Sequence, residues 1–483
     1  MSNINTHPII RPSDAVAWTE CDRRVWLENK TKIAQDQSEN AFDKLIKDKG
    51  LEHERKILKK LREKHQVRQA TSFKDTEMLM ADEAEVIYQA QLKNDIEGFV
   101  GYPDFLIRNK DGMYQPADAK LSLNSKKKSI QIQLGFYRKL LGNDLPAIVF
   151  LGGNSTAHIG DEANSITEKF INEMRILLAK EEEPYVRYSH SKCNACPYFQ
   201  HCRPGFEITE ELSLIYGIQG RPAQGLEKIG IKTITELAHT DYDTLPDLPY
   251  LKGSLKKKRA VLQARSYLNK EVFNIAPINL PQGTWVHFDI EDNPLTTTVD
   301  NHVYLWGFLI PANGENKFEY VWTDTEDDDE KGWINFLDKI EEYRSLYSDL
   351  ILAHFSQYER TTINTYAKRY NMEENEAVKY LLGDDSPLFD MQKPVLESLV
   401  LPLQSYGLKD ICKHPGLVNF QWEDAGSGSQ WSIVQFNRYL EEKDFKVKEQ
   451  LKKEILVYNY DDVVATFRLE EWLRSMVNKK IRD

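Results

Sequence analysis

The stretch GYPDFLIRNKDGMYQPADAKLSLNSKKKSIQIQLGFY, residues 101–137, carries the pattern of a β-hairpin followed by a helix. Residues 105–108 and 113–119 have the pattern of strands, and NKDG at 109–112 between them is a tight hairpin signal. The sequence therefore predicts two antiparallel strands joined by a short turn.

Charged side chains are expected to meet at the open end of this hairpin. Folding back on the turn brings Asp104 opposite Asp118, within one residue. Asp118 and Lys120 project from the same face because side chains alternate along a strand. Two carboxylates about 4 Å apart repel by roughly 1 kcal/mol in water and by roughly 4 kcal/mol at an effective dielectric constant of about 20. A divalent cation such as Mg²⁺ removes that repulsion, and the lysine is then expected to stabilise a developing phosphorane charge or to orient the attacking water.

The hairpin resembles the PD-(D/E)xK nuclease superfamily. Asp104, Asp118 and Lys120 stand where its signature stands. Gln133 and Tyr137 have the QxxxY spacing of the RecB-like branch, and positions i and i+4 share a helix face. The resemblance implies a restriction-endonuclease-like fold with a hydrolytic metal site. The alternative is an exposed strand edge with ordinary surface charges.

A histidine before the hairpin is a further candidate ligand. His53 lies in a predicted helix at about residues 40–64. By itself it would be a surface histidine among many charged residues. RecB-like nucleases place a metal-binding histidine on a helix before the catalytic hairpin, so the resemblance implies His53 as a ligand, with Glu52 and Glu54 as alternatives.

Length and composition set broader limits. A chain of 483 residues suggests about three domains, and 41% hydrophobic with 29% charged residues fits a globular protein. The absence of a long apolar run and of a signal peptide predicts a cytoplasmic protein. The net charge of -12 means that any contact with phosphates must come from local basic patches or backbone amides.

Three of the five cysteines, Cys193, Cys196 and Cys202, fall within ten residues. Disulfides are not expected in a chain without secretory features. Clustered thiolates with C-x2-C spacing suit either zinc or an iron–sulfur cluster. A compact zinc site would take its fourth ligand nearby, from His190 or His201.

The remaining candidate for a fourth ligand is Cys21, far upstream in a predicted helix over residues 15–29 with Ser13 as its N-cap. RecB-like nucleases of the AddB and CRISPR-associated kinds resemble this layout, with one cysteine before the nuclease core and C-x2-C-x5-C after it. The resemblance implies a 4Fe-4S cluster on all four cysteines that clips the two ends of the domain together. Closing so long a loop removes chain entropy from the unfolded state. Zinc remains the alternative.

The region from about residue 208 has short predicted helices joined at glycines. Gly217 and Gly220 allow backbone N–H groups to approach a phosphate, and the basic run 256–259 could extend this track. The pattern resembles helix-hairpin-helix DNA-binding modules. A purely structural helical linker is the alternative.

Paired acids recur near the C-terminus. Asp289 and Glu291 end a predicted strand that starts at residue 284, and they lie on the same face by the period of two. Tyr458 and Asp462 are four residues apart in a helical segment and share one face.

This pattern resembles DEDD 3′–5′ exonucleases of the RNase H-like fold, and YprB-type domains in particular. The resemblance implies that four acids hold two Mg²⁺ ions about 4 Å apart, and that Tyr458 positions the attacking water. The third acid would be Glu359, where most family members carry aspartate. The alternative is an RNase H-like scaffold without turnover.

The sequence as a whole predicts an α/β protein with three parts. They are a restriction-endonuclease-like domain at 1–206, a small helical connector at 207–276 and an RNase H-like domain at 277–483. The expected function is that of a metal-dependent DNA nuclease, using Mg²⁺ or Mn²⁺, that acts at ends in DNA repair or recombination. No GxxxxGK[ST] signature is present, so unwinding would require a separate helicase. The alternatives are a nucleic-acid-binding scaffold for such a partner, and an RNA 3′–5′ exonuclease through the C-terminal domain.

Overall fold

A computed structural model of the chain describes residues 7–33, 41–296, 299, 301–312, 314–422 and 428–477. These residues divide into two units. Unit 1 contains the described residues up to Val186 and also Ala195–Phe199, and unit 2 contains Arg187–Asn194 and nearly all described residues from Gln200 onward. None of the described helices combines the length and the apolar character needed to cross a membrane.

Unit 1 is a mixed α/β structure. Its helices are α1 (Asp14–Glu20), α2 (Asp22–Lys30), α3 (Ala41–Arg62), α4 (Phe73–Ala81), α5 (Lys128–Leu141) and α6 (Asn164–Leu178). Its strands are β1 (Val67–Gln69), β2 (Val86–Tyr88), β3 (Leu92–Asn94), β4 (Phe99–Gly101), β5 (Phe105–Arg108), β6 (Tyr114–Lys120), β7 (Ala147–Leu151) and β8 (Thr156–Ile159).

The main sheet of unit 1 has the strand order β1-β2-β5-β6-β7-β8, and β3 pairs with β4 separately. β6 and β7 run parallel, whereas β5 and β6 are antiparallel. Ile57 and Leu61 of α3 pack with Phe105 in a core on one side of the sheet. Leu140 of α5 packs against another core cluster, which contains Leu106 of β5. The central strands β5 and β6 are therefore held by packed helices.

The hairpin predicted from the sequence is present as β5 and β6. Phe105 pairs with Ala117, which places the two aspartates of the signature directly opposite one another at the next position. The Asn109 side chain accepts hydrogen bonds from two backbone N–H groups of the turn at 3.0 and 2.9 Å. Gly112 has φ +84°, a conformation that glycine adopts without steric strain. The turn residues thus set the register.

The helix predicted over residues 15–29 is instead two helices, α1 and α2. Cys21 between them has an extended backbone with φ -163° and ψ 124°. The Ser13 side chain makes no capping bond, and the Asp14 side chain of the first turn accepts a hydrogen bond from the Arg11 N–H at 3.0 Å. Hydrophobic periodicity continues across the break, so the pattern did not reveal it.

The helices from residue 187 onward are α7 (His190–Cys193), α8 (Phe199–Ile208), α9 (Arg221–Lys228), α10 (Ile234–His239), α11 (Ser254–Asn269), α12 (Asp329–Leu346), α13 (Tyr358–Arg369), α14 (Glu376–Leu382), α15 (Gln392–Ser398), α16 (Leu408–Lys413), α17 (Ser429–Glu441) and α18 (Phe445–Met476). The strands are β9 (Phe273–Asn274), β10 (Thr284–Asn293), β11 (His302–Ala312), β12 (Glu315–Trp322), β13 (Leu350–His354), β14 (Leu388–Asp390) and β15 (Leu399–Val400).

The main sheet of unit 2 has the order β12-β11-β10-β13-β14, with β10, β13 and β14 parallel and β11 and β12 antiparallel to their neighbours. Val286, Phe288 and Ile290 of β10 point into a core that α12 and α13 share. The alternate residues point to the opposite face, where His287 Nε2 lies 2.9 Å from Glu470 Oε2 of α18. The acids of β10 therefore face α18.

The predicted connector lies in unit 2 as the short helices α9 and α10 followed by α11. Gly217 and Gly220 both have positive φ, at +77° and +64°, and an added Cβ would meet no atom within 4 Å at either position. Their local geometry is open and allows close backbone approach. A role in phosphate binding stays a prediction.

Candidate functional site

The hairpin of unit 1 joins its two aspartates through reciprocal hydrogen bonds. The backbone N–H of Asp104 donates to Asp118 Oδ1 at 3.0 Å, and the backbone N–H of Ala119 donates to Asp104 Oδ2 at 2.8 Å. Asp118 is buried, with only 1% of its surface exposed. Each carboxylate is therefore fixed by the opposite strand, which keeps both groups at the same place.

Lys120 completes this group. Its Nζ lies 2.9 Å from Asp118 Oδ2. Burial and the neighbouring Asp118 carboxylate raise the pKa of Asp104 well above its ordinary value, whereas Lys120 lowers it. Burial lowers the pKa of Lys120, but the two aspartates outweigh it and the net shift is upward. The lysine therefore stays charged beside two crowded carboxyl groups.

The QxxxY pair of α5 lies beside the same group. Gln133 Nε2 donates to the Tyr137 hydroxyl at 3.1 Å, and that hydroxyl donates to the Tyr102 carbonyl at 3.0 Å. Burial and the Asp118 carboxylate raise the pKa of the Tyr137 hydroxyl, which places Tyr137 close to the acids. The tyrosine is thus neutral and oriented.

The helix α3 carries His53 and the alternative ligand Glu54. His53 Nε2 lies 3.0 Å from the Phe150 carbonyl oxygen of β7. Glu54, one of the alternatives, adds to the rise in the pKa of Asp104 and so lies near it. Among the described residues of unit 1, no three His, Cys, Asp or Glu side chains bring ligand atoms within 4.8 Å of one another. His53 as a metal ligand stays a prediction.

The four cysteines of the C-x2-C-x5-C pattern are divided between the two units. Cys21 and Cys196 belong to unit 1, and Cys193 and Cys202 belong to unit 2. Burial raises the pKa of the Cys196 thiol, and the nearby Cys21 adds to this rise. In unit 2, the Ser189 backbone N–H donates to Cys193 Sγ at 3.3 Å. An iron–sulfur or zinc site that uses all four cysteines stays a prediction.

Unit 2 contains a cluster of three carboxylates. Oxygen atoms of Asp289, Glu291 and Asp462 all lie within 4.8 Å of one another. The first two come from β10 and the third from α18. Glu291 and Asp462 are buried, with 6% and 7% of their surfaces exposed. The strand and helix that the sequence pattern singled out therefore converge on one point.

Burial and mutual repulsion make these three groups weak acids. Burial, followed by the charges of Asp462 and Glu291, raises the pKa of Asp289 well above its ordinary value. Burial and Asp462 raise the pKa of Glu291 from 4.5 to about 8. The pKa of Asp462 is also raised by burial, although Lys409 and a hydrogen bond from Trp422 lower it. Without a cation, Glu291 therefore holds its proton at neutral pH.

Two side chains that sequence reasoning did not assign hold the ends of the cluster. Asn459 Nδ2 donates to Asp289 Oδ2 at 2.9 Å. Trp422 Nε1 donates to Asp462 Oδ1 at 2.7 Å. Asn459 lies directly after Tyr458 in the same helical motif, so its place on α18 was visible, but its partner was not. Nothing in the local sequence indicated Trp422.

The tyrosine of the YxxxD motif lies beside Asp462. Tyr458 is buried, with 3% of its surface exposed, and its hydroxyl contributes a hydrogen bond to Asp462. Lys409 of α16 donates to the Tyr458 hydroxyl. The motif thus forms one connected group with the carboxylates.

Glu359 is close to this group but has its own partner. His354 Nδ1 lies 3.1 Å from Glu359 Oε2, and both side chains are buried. The Glu359 charge adds to the rise in the pKa of Asp289, so the two carboxyls are neighbours. Its oxygens are not among those that converge within 4.8 Å. The role predicted for Glu359 as the third acid of the pattern stays a prediction.

Comparison with known proteins addresses this part of the chain. Residues 286–474 match the family model of the RNase_H superfamily. The C-terminal segment is an RNase H-like domain. This confirms the predicted fold of that segment and places the carboxylate cluster in a domain type associated with nuclease activity on nucleic acid.

No curated protein matches the chain in sequence. A solved structure described as "Crystal structure of SSO0001" is 16% identical over 41% of this chain and 88% of that chain, with a TM-score of 0.21. A likeness of that size supports no conclusion about the fold.

The raised pKa of Glu291 predicts how the stability of the RNase H-like domain depends on pH. Because the folded-state pKa of about 8 exceeds 4.5, the native state binds the extra proton. The stability that this bound proton contributes is complete below the unfolded-state pKa of 4.5, and it is lost as pH rises through the folded-state pKa of about 8. In chelator, we expect the free energy of unfolding to fall across that window for the wild type relative to Glu291→Gln, measured by urea unfolding. A difference between the two proteins that is independent of pH would contradict the assignment.

A glycine on β11 makes room for the asparagine that holds Asp289. A Cβ at Gly307 would lie 1.7 Å from Asn459 Oδ1 and 2.9 Å from its Cγ. Gly307→Ala is therefore expected to destabilise the RNase H-like domain by about 2–3 kcal/mol, as overpacking of a buried site does. Thermal unfolding measures this, with Gly205→Ala as control because an added Cβ there meets nothing within 4 Å. Equal melting of the wild type and the Gly307 variant would contradict the packing described.

Proposed function

We propose that the chain is a metal-dependent nuclease that hydrolyses phosphodiester bonds in DNA, acting as an exonuclease in end processing, repair or recombination. The observation that carries this proposal is the convergence of Asp289, Glu291 and Asp462 within an RNase H-like domain. Any unwinding of duplex ends would come from a separate helicase.

The donor set fits Mg²⁺ or Mn²⁺. Three carboxylates offer the oxygen ligands that these ions prefer, and a cation would offset the burial and the Asp462 charge that raise the pKa of Glu291. When bound, divalent ions supply Lewis-acid stabilisation of the charge that develops on the phosphate. Asn459 would hold Asp289 in place, and the buried Tyr458 hydroxyl would orient the attacking water.

We propose a second hydrolytic centre of the PD-(D/E)xK kind in unit 1. Asp104 and Asp118 would hold a divalent ion with Glu54 or His53, and Lys120 would stabilise the developing charge. The reciprocal bonds of the two aspartates and the ion pair of Lys120 support this proposal. Gln133 and Tyr137 would orient the substrate from α5.

We propose that Cys21, Cys193, Cys196 and Cys202 hold a 4Fe-4S cluster, with zinc as the alternative. The proximity of Cys21 to Cys196 and the hydrogen bond to Cys193 support a site for thiolates. Protein purified without oxygen is expected to be brown with broad visible absorption, and Cys196→Ser to be colourless. Cys412→Ser, at a buried thiol outside the pattern, is the control. A colourless wild type that contains zinc would overturn the cluster.

The test of the overall proposal is a cleavage assay of the purified wild type. End-labelled single-stranded DNA, duplex DNA and RNA are each incubated with Mn²⁺ or with chelator. We expect Mn²⁺-dependent loss of label from DNA. If RNA alone is cleaved, the substrate is RNA and not DNA. If the protein binds nucleic acid but does not cleave it in any divalent metal, the scaffold function is favoured.

A further inference from the structure

A lysine lies against the carboxylate cluster of the RNase H-like domain. Lys409 is the second residue of α16, and its Nζ lies 3.5 Å from Asp462 Oδ1. The same ammonium group donates to the Tyr458 hydroxyl and lies 4.3 Å from the centre of the Tyr458 ring. With 27% of its side chain exposed, Lys409 is fixed at the cluster but still reachable from solvent.

The helix α16 carries a second lysine, Lys413, with which Lys409 can be compared. Lys413, four residues later, also stacks on Trp422, with its Nζ 5.4 Å from the ring centre against 5.6 Å for Lys409. Trp422 itself donates a hydrogen bond to Asp462. Lys409 forms an ion pair with Asp462, whereas Lys413 forms none with an acid among the described residues. The chain therefore supplies a matched pair of lysines.

The neighbouring acids have their own partners. Glu359 is bound by His354 at 3.1 Å. Asp390 accepts the backbone N–H groups of Ser356 and Gln392, both at 2.9 Å. Among the described residues, the carboxylates whose oxygens converge within 4.8 Å are those of Asp289, Glu291 and Asp462, which carry three negative charges when ionised. One divalent ion and one ammonium group balance that charge, whereas two divalent ions beside Lys409 would exceed it.

We propose that Lys409 is the second cation of this site. It takes the role that a second divalent ion has in two-metal nucleases, so the RNase H-like centre binds a single divalent ion, and the Lys409 ammonium contacts the phosphate that is cleaved. No bond forms to Lys409; it stabilises charge that develops on the phosphate oxygens. This inference rests on the proposed nuclease function.

The first test counts ions. Mn²⁺ is titrated by calorimetry into a chain that carries Asp118→Asn, and again after adding Asp289→Asn, and the difference gives the ions of the RNase H-like centre. We expect one ion per chain. Lys409→Ala is expected to admit a second, weaker ion, whereas Lys413→Ala keeps one. Two ions in the centre that retains Lys409 would overturn the inference.

The second test measures single-turnover cleavage of DNA in the same Asp118→Asn chain. Lys409→Ala is expected to lower the rate by about 100-fold at limiting Mn²⁺, with part of the loss recovered at high Mn²⁺, and Lys413→Ala to keep it. If Lys409→Ala leaves the cleavage rate unchanged, the proposed role of Lys409 is wrong, and the proposed nuclease function still stands. A chain with Lys409 that binds no Mn²⁺ and cleaves nothing would overturn the proposed function itself, and the inference with it.

Discussion

Replacing Asp289 with asparagine is expected to lower cleavage by the RNase H-like domain by about 1000-fold, which corresponds to roughly 4 kcal/mol of lost transition-state stabilisation. The change keeps the shape of the side chain and removes one of the three charges that meet within 4.8 Å. Asn459 Nδ2 donates to Asp289 Oδ2, and the asparagine can turn its amide oxygen toward that donor, so the hydrogen bond and the local packing are preserved. Single-turnover cleavage in Mn²⁺, in a chain that also carries Asp118→Asn, isolates this centre.

The matched control for Asp289→Asn is Asp338→Asn. Asp338 is exposed on α12, which packs on the face of the sheet opposite the acids. We expect that variant to cleave at the wild-type rate. If Asp289→Asn and Asp338→Asn cleave equally fast, the carboxylate cluster is not a hydrolytic centre.

The second large effect is expected at Lys120. Lys120→Met is expected to lower by about 100-fold the cleavage that remains in an Asp289→Asn chain, because it removes the ammonium group 2.9 Å from Asp118. The remaining activity in that background would come from unit 1. The rate of Mn²⁺-dependent cleavage measures the effect directly.

Lys110→Met is the control for this prediction. Lys110 is exposed in the turn of the same hairpin, at the end away from the aspartates. The control is expected to retain its rate. No residual cleavage in the Asp289→Asn chain before the lysine is changed would mean that the unit 1 centre is inactive.

The positions of the acids were predictable because local rules determine them. The NKDG turn fixes the register of β5 and β6, and that register alone places Asp104 beside Asp118. In the same way, the period of two along β10 puts Asp289 and Glu291 on one face. Only the meeting of β10 with Asp462 required tertiary structure, and the likeness to a known family supplied it.

The groups that support the acids were not predictable, because they depend on packing between distant segments. Lys409 and Trp422 reach Asp462 from α16 and the loop after it, about 50 and 40 residues earlier in the chain. His354 beside Glu359 became meaningful only when both were seen to be buried. The break between α1 and α2 at Cys21, whose backbone is extended, was likewise not predictable from the hydrophobic periodicity of the sequence.

The most direct test of the account compares the wild type with the double variant Asp118→Asn, Asp289→Asn on end-labelled single-stranded DNA in Mn²⁺. We expect the wild type to release label only with the metal, and the double variant, folded as judged by its unfolding curve, to release none. If the double variant cleaves DNA as fast as the wild type, the carboxylates of the two units do not form the hydrolytic centres.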